Sequence, residues 1–341
     1  MGHKKGRSIE DKVSPGRWRN YRWQMHSRTL ITTLSCMTIV VAAACSSPPP
    51  ASRPSSATRS GHRQPSPLTS PQRSVAGLQP STAHPCGSTQ ARRWQHIVWI
   101  IMENKSYSQI VGATDAPYEN QLAAECGLAT DYLAVSHPSL PNYIALTSGS
   151  THGITDDDPP SAHHIGGSSL FSQLGADWSS LQESMPSNCD TSSTGEYAVK
   201  HNPAAYFTDI RNACDSQDVP LTQPPDISHR FTLITPNLCH DMHDCPVSTG
   251  DGWLATFLPT LLNSRQYRAG STAVFLTYDE DDGSGDNQVA TFVIAPTVPT
   301  GTRSSIPFTH YSLLRTTEEM LGFGRLGGAG TANSMRRAFH L

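Results

Sequence analysis

The sequence predicts an α/β fold, a central, mostly parallel sheet with helices on both faces, and two observations carry that reading. Continuous apolar runs with β-branched content recur along the chain after residue 95, as expected of strands covered on both faces. Helical apolar patterns fill the intervals between them, and strands alternating with helices point to a layered α/β domain. Residues 96–102 (HIVWIIM) form the first strand, and 141–147 the first helix. Residues 170–185 read as a second helix. Residues 231–234 are the next strand, 253–262 the next helix, and 273–278 (AVFLTY) a third strand, with 289–295 (VATFVIA) close behind. Residues 311–321 form an amphipathic helix in which Leu313, Leu314, Thr317, Met320 and Leu321 share one face. In open sheets of this kind ligands bind beyond the carboxyl ends of the strands, so the residues just past each strand are the ones to weigh.

The 341-residue chain has a formal charge of −3, the sum of two opposite pieces. Residues 1–85 hold 12 Lys/Arg against 2 Asp/Glu, and residues 86–341 hold 13 against 26. So acidic a body lacks the electrostatic footprint of a nucleic-acid binder and suits a protein that binds cations. The 15-residue apolar run 30–44 is short for a membrane span of ~20 residues. With Arg17, Arg19, Arg22 and Arg28 before it and three alanines before Cys45, it marks residues 1–44 as a signal peptide. The segment 41–45 (VAAAC) resembles a bacterial lipobox. Cys45 would then be lipidated, the one expected membrane contact, with plain cleavage and release as the alternative. Residues 45–85, rich in Ser and Pro and without Phe, Trp or Tyr, cannot bury enough surface to order themselves and read as a flexible stalk. Residues 86–341 are the folded domain. Its six cysteines, Cys86, Cys126, Cys189, Cys214, Cys239 and Cys245, suit three disulfides in an exported chain. Neighbour pairing, which closes short loops, is the expected connectivity.

Four clusters carry chemistry. Glu103 and Asn104 follow the first strand, oxygen donors suited to a divalent cation, although the same position serves a helix cap. The third strand ends in Asp279, Glu280, Asp281 and Asp282, which repel one another and need either solvent or a cation. Ser139 stands just before Pro141, at or beside a helix start. Capping is one role for it; the free amides and positive dipole end there also suit a phosphate, and a serine beside a metal suits an activated nucleophile. Asn142 lies one turn in. The segment 235–245 (TPNLCHDMHDC) packs His240, Asp241, His243 and Asp244 into one loop that Cys239 and Cys245 would staple. His201 and His310 are isolated, and each taken alone reads first as a hydrogen-bonded structural histidine or a cap.

With these residues in hand, the body resembles the bacterial phosphoesterase family that includes phospholipases C and a group of acid phosphatases, within the alkaline-phosphatase superfamily. The resemblance rests on MENKSY at 102–107, HPSLPNYIALTSG at 137–149, KHNPAAYF at 200–207, TPNLCHDMHDC at 235–245, GDGWL at 250–254 and TYDEDDG at 277–283, in the family's order. It implies an alkaline-phosphatase-like fold and a covalent phosphoseryl intermediate on Ser139. It also implies a divalent metal ion (Zn, Ca, Mg, Mn or Fe) held by Glu103, Asn104, Asp279 and Glu280, with Asp241 as a further ligand. Asn142, His243 and Asp244 would bind the phosphate, with His201 and His310 as acids for the leaving oxygen. Position 104 is Asn, and position 280 is Glu where the binuclear members have His, a departure that favours one metal. The expected substrate is a small phosphate ester or a phospholipid head group. Phosphomonoester hydrolysis of acid-phosphatase type ranks first because no lipid-binding module follows the body. Phospholipase C activity and an idle, metal-stabilised binding protein are the rivals.

Overall fold

The structure, a computed structural model, describes residues 80–88 and 93–341. The expected signal peptide, Cys45 and the expected stalk through residue 79 lie outside the described residues. Residues 80–85, the end of the Ser/Pro-rich segment, lie against the body: Pro80 is buried and the Pro85 carbonyl accepts from Tyr267 Oη at 2.6 Å.

The strands are β1 (His96–Met102), β2 (Gly127–Ala129), β3 (Tyr132–Leu133), β4 (Trp178–Gln182), β5 (Asp218–Pro220), β6 (Phe231–Thr235), β7 (Thr272–Tyr278), β8 (Thr291–Ile294), β9 (Arg303–Ser304) and β10 (Phe308–Thr309). Eight form one sheet in the order β5-β4-β6-β1-β7-β8-β2-β9, and β10 pairs with β3 apart from it. The five strands from β5 to β7 run parallel; β8 is antiparallel to both β7 and β2. The helices are α1 (Tyr107–Ile110), α2 (Pro117–Glu125), α3 (Ser139–Ser148), α4 (Leu170–Leu174), α5 (Arg211–Gln217), α6 (Val247–Leu262), α7 (Arg265–Arg268) and α8 (His310–Leu321).

Register shows that helices cover both faces. Trp99 pairs with Phe275, so side chains at odd positions of β1 and β7 share a face. Trp99 Nε1 donates to Thr317 of α8, which places α8, and α3 packed against it, over that face. Tyr278, three residues after Phe275, points the opposite way and meets Glu119 of α2, which packs on α6. The alternation continues past the strand ends, so Glu103 and Asp279 fall on the α3 side.

Two expectations change. Residues 170–185 are not one helix: α4 stops at Leu174, and the chain returns as β4, buried along its length. Gly175, at φ +64, breaks the helix, and WSSLQ then fits the parallel slot beside β6. Polar residues in a buried strand hide its periodicity, which is why it reads as helix. The C-terminal helix of the central region starts at Val247 rather than at 253. The cysteines pair as neighbours, Cys86–Cys126, Cys189–Cys214 and Cys239–Cys245.

Candidate active site

Three adjacent central strands, β6, β1 and β7, deliver their carboxyl ends to one place, and α3 aims its first residue at it. β1 runs directly into Glu103, fully buried, whose backbone N–H donates to the Asp241 carbonyl at 2.9 Å. Asn104 follows at φ +46, a left-handed conformation that Asn tolerates better than most residues, and its N–H donates to Asp279 Oδ1 at 3.2 Å. β7 ends in Asp279 and Glu280, both buried. The next acids serve the loop instead: Asp281 accepts from the N–H of Asn287 and of Gly283, and Asp282 binds Ser284 and Gln109.

Ser139 is the first residue of α3, after Pro138 in extended conformation, and it is 1% exposed. Its Oγ donates toward Glu103 Oε2 at 3.1 Å and lies 3.3 Å from Glu280 Oε1. One turn on, Tyr143 Oη donates to the other oxygen of Glu103 at 2.6 Å. Spacing of four residues puts both hydroxyls on one helix face, so α3 grips Glu103 twice. Asn142 spends its amide on the turn before the serine: Oδ1 accepts from the N–H of Val135 and Ser136, and Nδ2 donates to the carbonyls of Ser136 and Pro138. Nδ2 also donates to Glu280 Oε2, at 3.4 Å.

The loop after β6 closes the pit from the side. Asp241 is buried, and its Oδ1 accepts from the His243 N–H at 2.7 Å. Gly250 of α6 lets this loop lie flat on the helix, because a Cβ there would run into Met242 and the His240 carbonyl. His201 enters from a short helical turn and stacks on the Tyr143 ring, centroids 5.3 Å apart. Its Nε2 is 3.3 Å from Glu103 and its Nδ1 3.3 Å from Asp241, neither aligned as a hydrogen bond.

Four carboxylates converge with little to neutralise them. Burial first, then the charges of Asp279 and Asp241, hold Glu103 well above the usual carboxylate range. Burial, with the charge of Glu280 added, pushes Asp279 up to about 8. Burial pushes Asp241 and Glu280 up to about 7 each. Four buried polar atoms here, Asn104 Oδ1, Asp279 Oδ2, Asp241 Oδ2 and His201 Nε2, have no hydrogen-bond partner among the described residues. Unmatched oxygens and an imidazole nitrogen around repelling acids are a donor set that could hold a divalent cation. The ligating atoms of Glu103, His201 and His243 come within 4.8 Å of one another.

A sequence profile of the phosphoesterase family matches residues 113–323. The chain belongs to the phosphoesterase family. Such membership makes it a phosphoric ester hydrolase. It is 33% identical over 243 residues to a phosphatidylinositol-3-phosphatase of Mycobacterium tuberculosis, across 70% of this chain and 80% of that protein. It is 30% identical over 264 residues to a phosphate-repressible acid phosphatase of Penicillium chrysogenum, across 71% of this chain but 63% of that longer protein. A solved structure of an alkaline phosphatase superfamily protein from Vibrio parahaemolyticus shares the fold, with TM-score 0.50 and 12% identity over 74% of this chain and 72% of that one.

In this phosphoesterase the structure brings together Glu103, Asn104, Ser139, His201, Asp241, Asp279 and Glu280. His243 stands at the mouth, its Nδ1 on Asp244 at 2.6 Å, while Asp244 itself is mostly exposed. His240 turns away to Glu183 and Trp253. His310 is fully buried with both ring nitrogens engaged, Nε2 on the Asp279 carbonyl at 2.6 Å and Nδ1 on Tyr132 Oη at 3.2 Å. Nε2 must carry the proton for that carbonyl, and burial pushes the imidazole down to about 4. It therefore clamps the backbone of Asp279 and has no free nitrogen for a leaving group, which corrects the sequence expectation.

Sequence reasoning passed over four residues. Tyr143 grips Glu103; His137 lies 2.6 Å from Glu280; Asp157 accepts from the Leu140 N–H at 2.9 Å; Lys200 reaches Asp157 at 3.0 Å. Tyr143 was within reach of a simple signal, its spacing of four from Ser139.

Proposed function

We propose that this chain is an exported, metal-dependent phosphomonoesterase of acid-phosphatase type with Ser139 as nucleophile. The observation that carries the reading is the serine hydroxyl at the start of α3, hydrogen-bonded to Glu103 and beside Glu280 within the four-carboxylate pit. The names of the mycobacterial and fungal relatives support hydrolysis of phosphate monoesters, including one on an inositol head group. Three disulfides support export, with release or an anchor at Cys45 as its two forms.

Glu103, Asn104, Asp279 and Glu280 would hold the cation, with Asp241 and His201 beside them. When bound there, a divalent cation supplies the positive charge that favours the ionised Ser139 hydroxyl and neutralises phosphoryl oxygens. Ser139 Oγ then attacks phosphorus as the ester P–O bond breaks, leaving an alcohol and a phosphoserine that water hydrolyses. Tyr143 fixes Glu103 in rotamer. His137 and His243 have partly exposed rings, 44% and 26%, and replace His310 and the buried His201 as candidates to return a proton to the leaving oxygen.

The test is turnover of an aryl phosphate monoester, an aryl phosphodiester and a phosphorylcholine ester by the wild type and by Ser139→Ala, with and without a chelator. Ser139→Ala is expected to lose about 10⁴-fold or more in kcat. Chelation should abolish activity, with recovery on adding back a divalent metal. Equal turnover by Ser139→Ala would sink the nucleophile assignment. Preference for the phosphorylcholine ester would move the reading to phospholipase C.

A further inference from the structure

Residues 86–341 contain two lysines, Lys105 and Lys200, and both stand close enough to the pit to feel the charges of Glu103 and Asp279. Lys105 is occupied behind it: Nζ donates to the carbonyls of Met242 at 2.8 Å and Asn104 at 3.1 Å, stitching two loops together. Lys200 faces the mouth. Its Nζ donates to Asp157 Oδ2 at 3.0 Å, lies 3.3 Å from His243 Nε2, and its side chain is 20% exposed. The other oxygen of Asp157 accepts the N–H of Leu140, the residue after the nucleophile. One carboxylate thus links a lysine to the first turn of the nucleophile helix. An ammonium and a helix-start amide are the partners that a phosphoryl oxygen takes.

We propose that Lys200 is a specificity-determining residue for substrate charge, reading the dianionic phosphoryl group of a monoester, and that Asp157 is the positioning residue that aims it. The proposal rests on the phosphomonoesterase reading and narrows its substrate class. A monoester dianion presents three non-bridging oxygens; a diester replaces one of them with an ester oxygen and carries one charge fewer. Four carboxylates line the pit, so the protein's own cation at its mouth gains most from the oxygen that the diester lacks. His201, the next residue, faces Glu103, so one short turn serves the carboxylates with one side chain and the entering anion with the other.

The experiment measures kcat and KM for an aryl phosphate monoester and its matching diester, and the inhibition constant of inorganic phosphate, on the full chain. Variants are Lys200→Met, Lys200→Arg and Asp157→Asn, each checked by thermal melting. Lys200→Met is expected to cut monoester kcat/KM by about 100-fold, to lower the monoester-to-diester ratio by about 10-fold, and to weaken phosphate inhibition. Lys200→Arg should recover most of the ratio, and Asp157→Asn should lower it less than Lys200→Met does. Equal losses on both esters with unchanged phosphate inhibition overturn the proposal and leave Lys200 a structural ion-pair partner. If Lys200→Met fails to fold, an unaltered ratio and unaltered phosphate inhibition in both other variants overturn it equally. If the wild type does not turn over the diester, phosphate inhibition decides. Turnover that survives Ser139→Ala is a separate result, and it removes the nucleophile reading rather than this one.

Discussion

Two buried glutamates sit on opposite faces of the same sheet, and they resemble each other until their partners are counted. Glu103, beyond β1 on the α3 side, shares its space with Asp241, Asp279 and Glu280, and polar atoms around it go unmatched. Glu119, in α2 on the other side, accepts from Tyr278 Oη at 2.9 and 3.1 Å, one donor spanning both carboxylate oxygens. Both are fully buried, and desolvation raises both above the ordinary carboxylate range. Burial and a raised pKa therefore do not mark function here. Convergence of like charges with orphaned ligand atoms does, because that arrangement is costly unless something positive completes it.

The sharpest way to break this contrast is to neutralise each acid in turn. Glu103→Gln should lower kcat by about 100-fold or more, since it removes a charged ligand and leaves one acceptor oxygen where Ser139 and Tyr143 each use one. Glu119→Gln should leave turnover within a small factor of wild type. Steady-state assays at saturating metal compare them. Similar losses from both changes would mean that the α2 face feeds the site through Tyr278, whose hydroxyl also touches Met242 Sδ in the His/Asp loop.

A second, smaller effect separates the acids by stability. Burial pushes Glu119 up from 4.5 to about 8. Between those pH values the folded chain keeps a proton that the unfolded chain releases, so this group's contribution falls as pH rises through that window and is constant below it. Glu119→Gln mimics the protonated acid and should remove a few kcal/mol of that decline. Urea unfolding at intervals across the window reads it. A slope unchanged from wild type would mean that Glu119 ionises freely in the folded state.

The same contrast explains what was legible in the sequence. Strands β1, β6 and β7 were plain because continuous apolar runs have few other uses, and the rule that ligands gather beyond strand ends then located Glu103 and Asp279, while a proline two residues on marked Ser139 as a helix start. β4 was missed because WSSLQ is polar at positions the fold buries, where Ser180 and Gln182 bond to Asn202 and Thr235. Glu119 carried no signal: an acid in a short helix with weak periodicity looks solvent-facing. Lys200 and Asp157 were missed because their link spans 43 residues and depends on where a loop folds over α3, which local pattern does not encode. His310 was misassigned because a histidine's role turns on which partners its two nitrogens find.

The smallest effect tests how local the structural face is. Asp251 of α6 is 3% exposed and accepts the N–H of Glu119 at 2.9 Å and of Tyr118 at 3.1 Å, capping α2 from a neighbouring helix. That helix starts with Pro117 and has no capping side chain of its own, so Asp251 satisfies donors that would otherwise be stranded near the core. Asp251→Ala should cost about 1 to 2 kcal/mol of stability, the usual worth of a cap, with turnover per folded molecule unchanged. The charge of Asp251 also adds to the upward shift of Glu119, so the pH slope described above should shrink slightly in this variant. Loss of turnover on the scale of Glu103→Gln, without unfolding in a thermal melt, would show that the two faces of the sheet do not act separately.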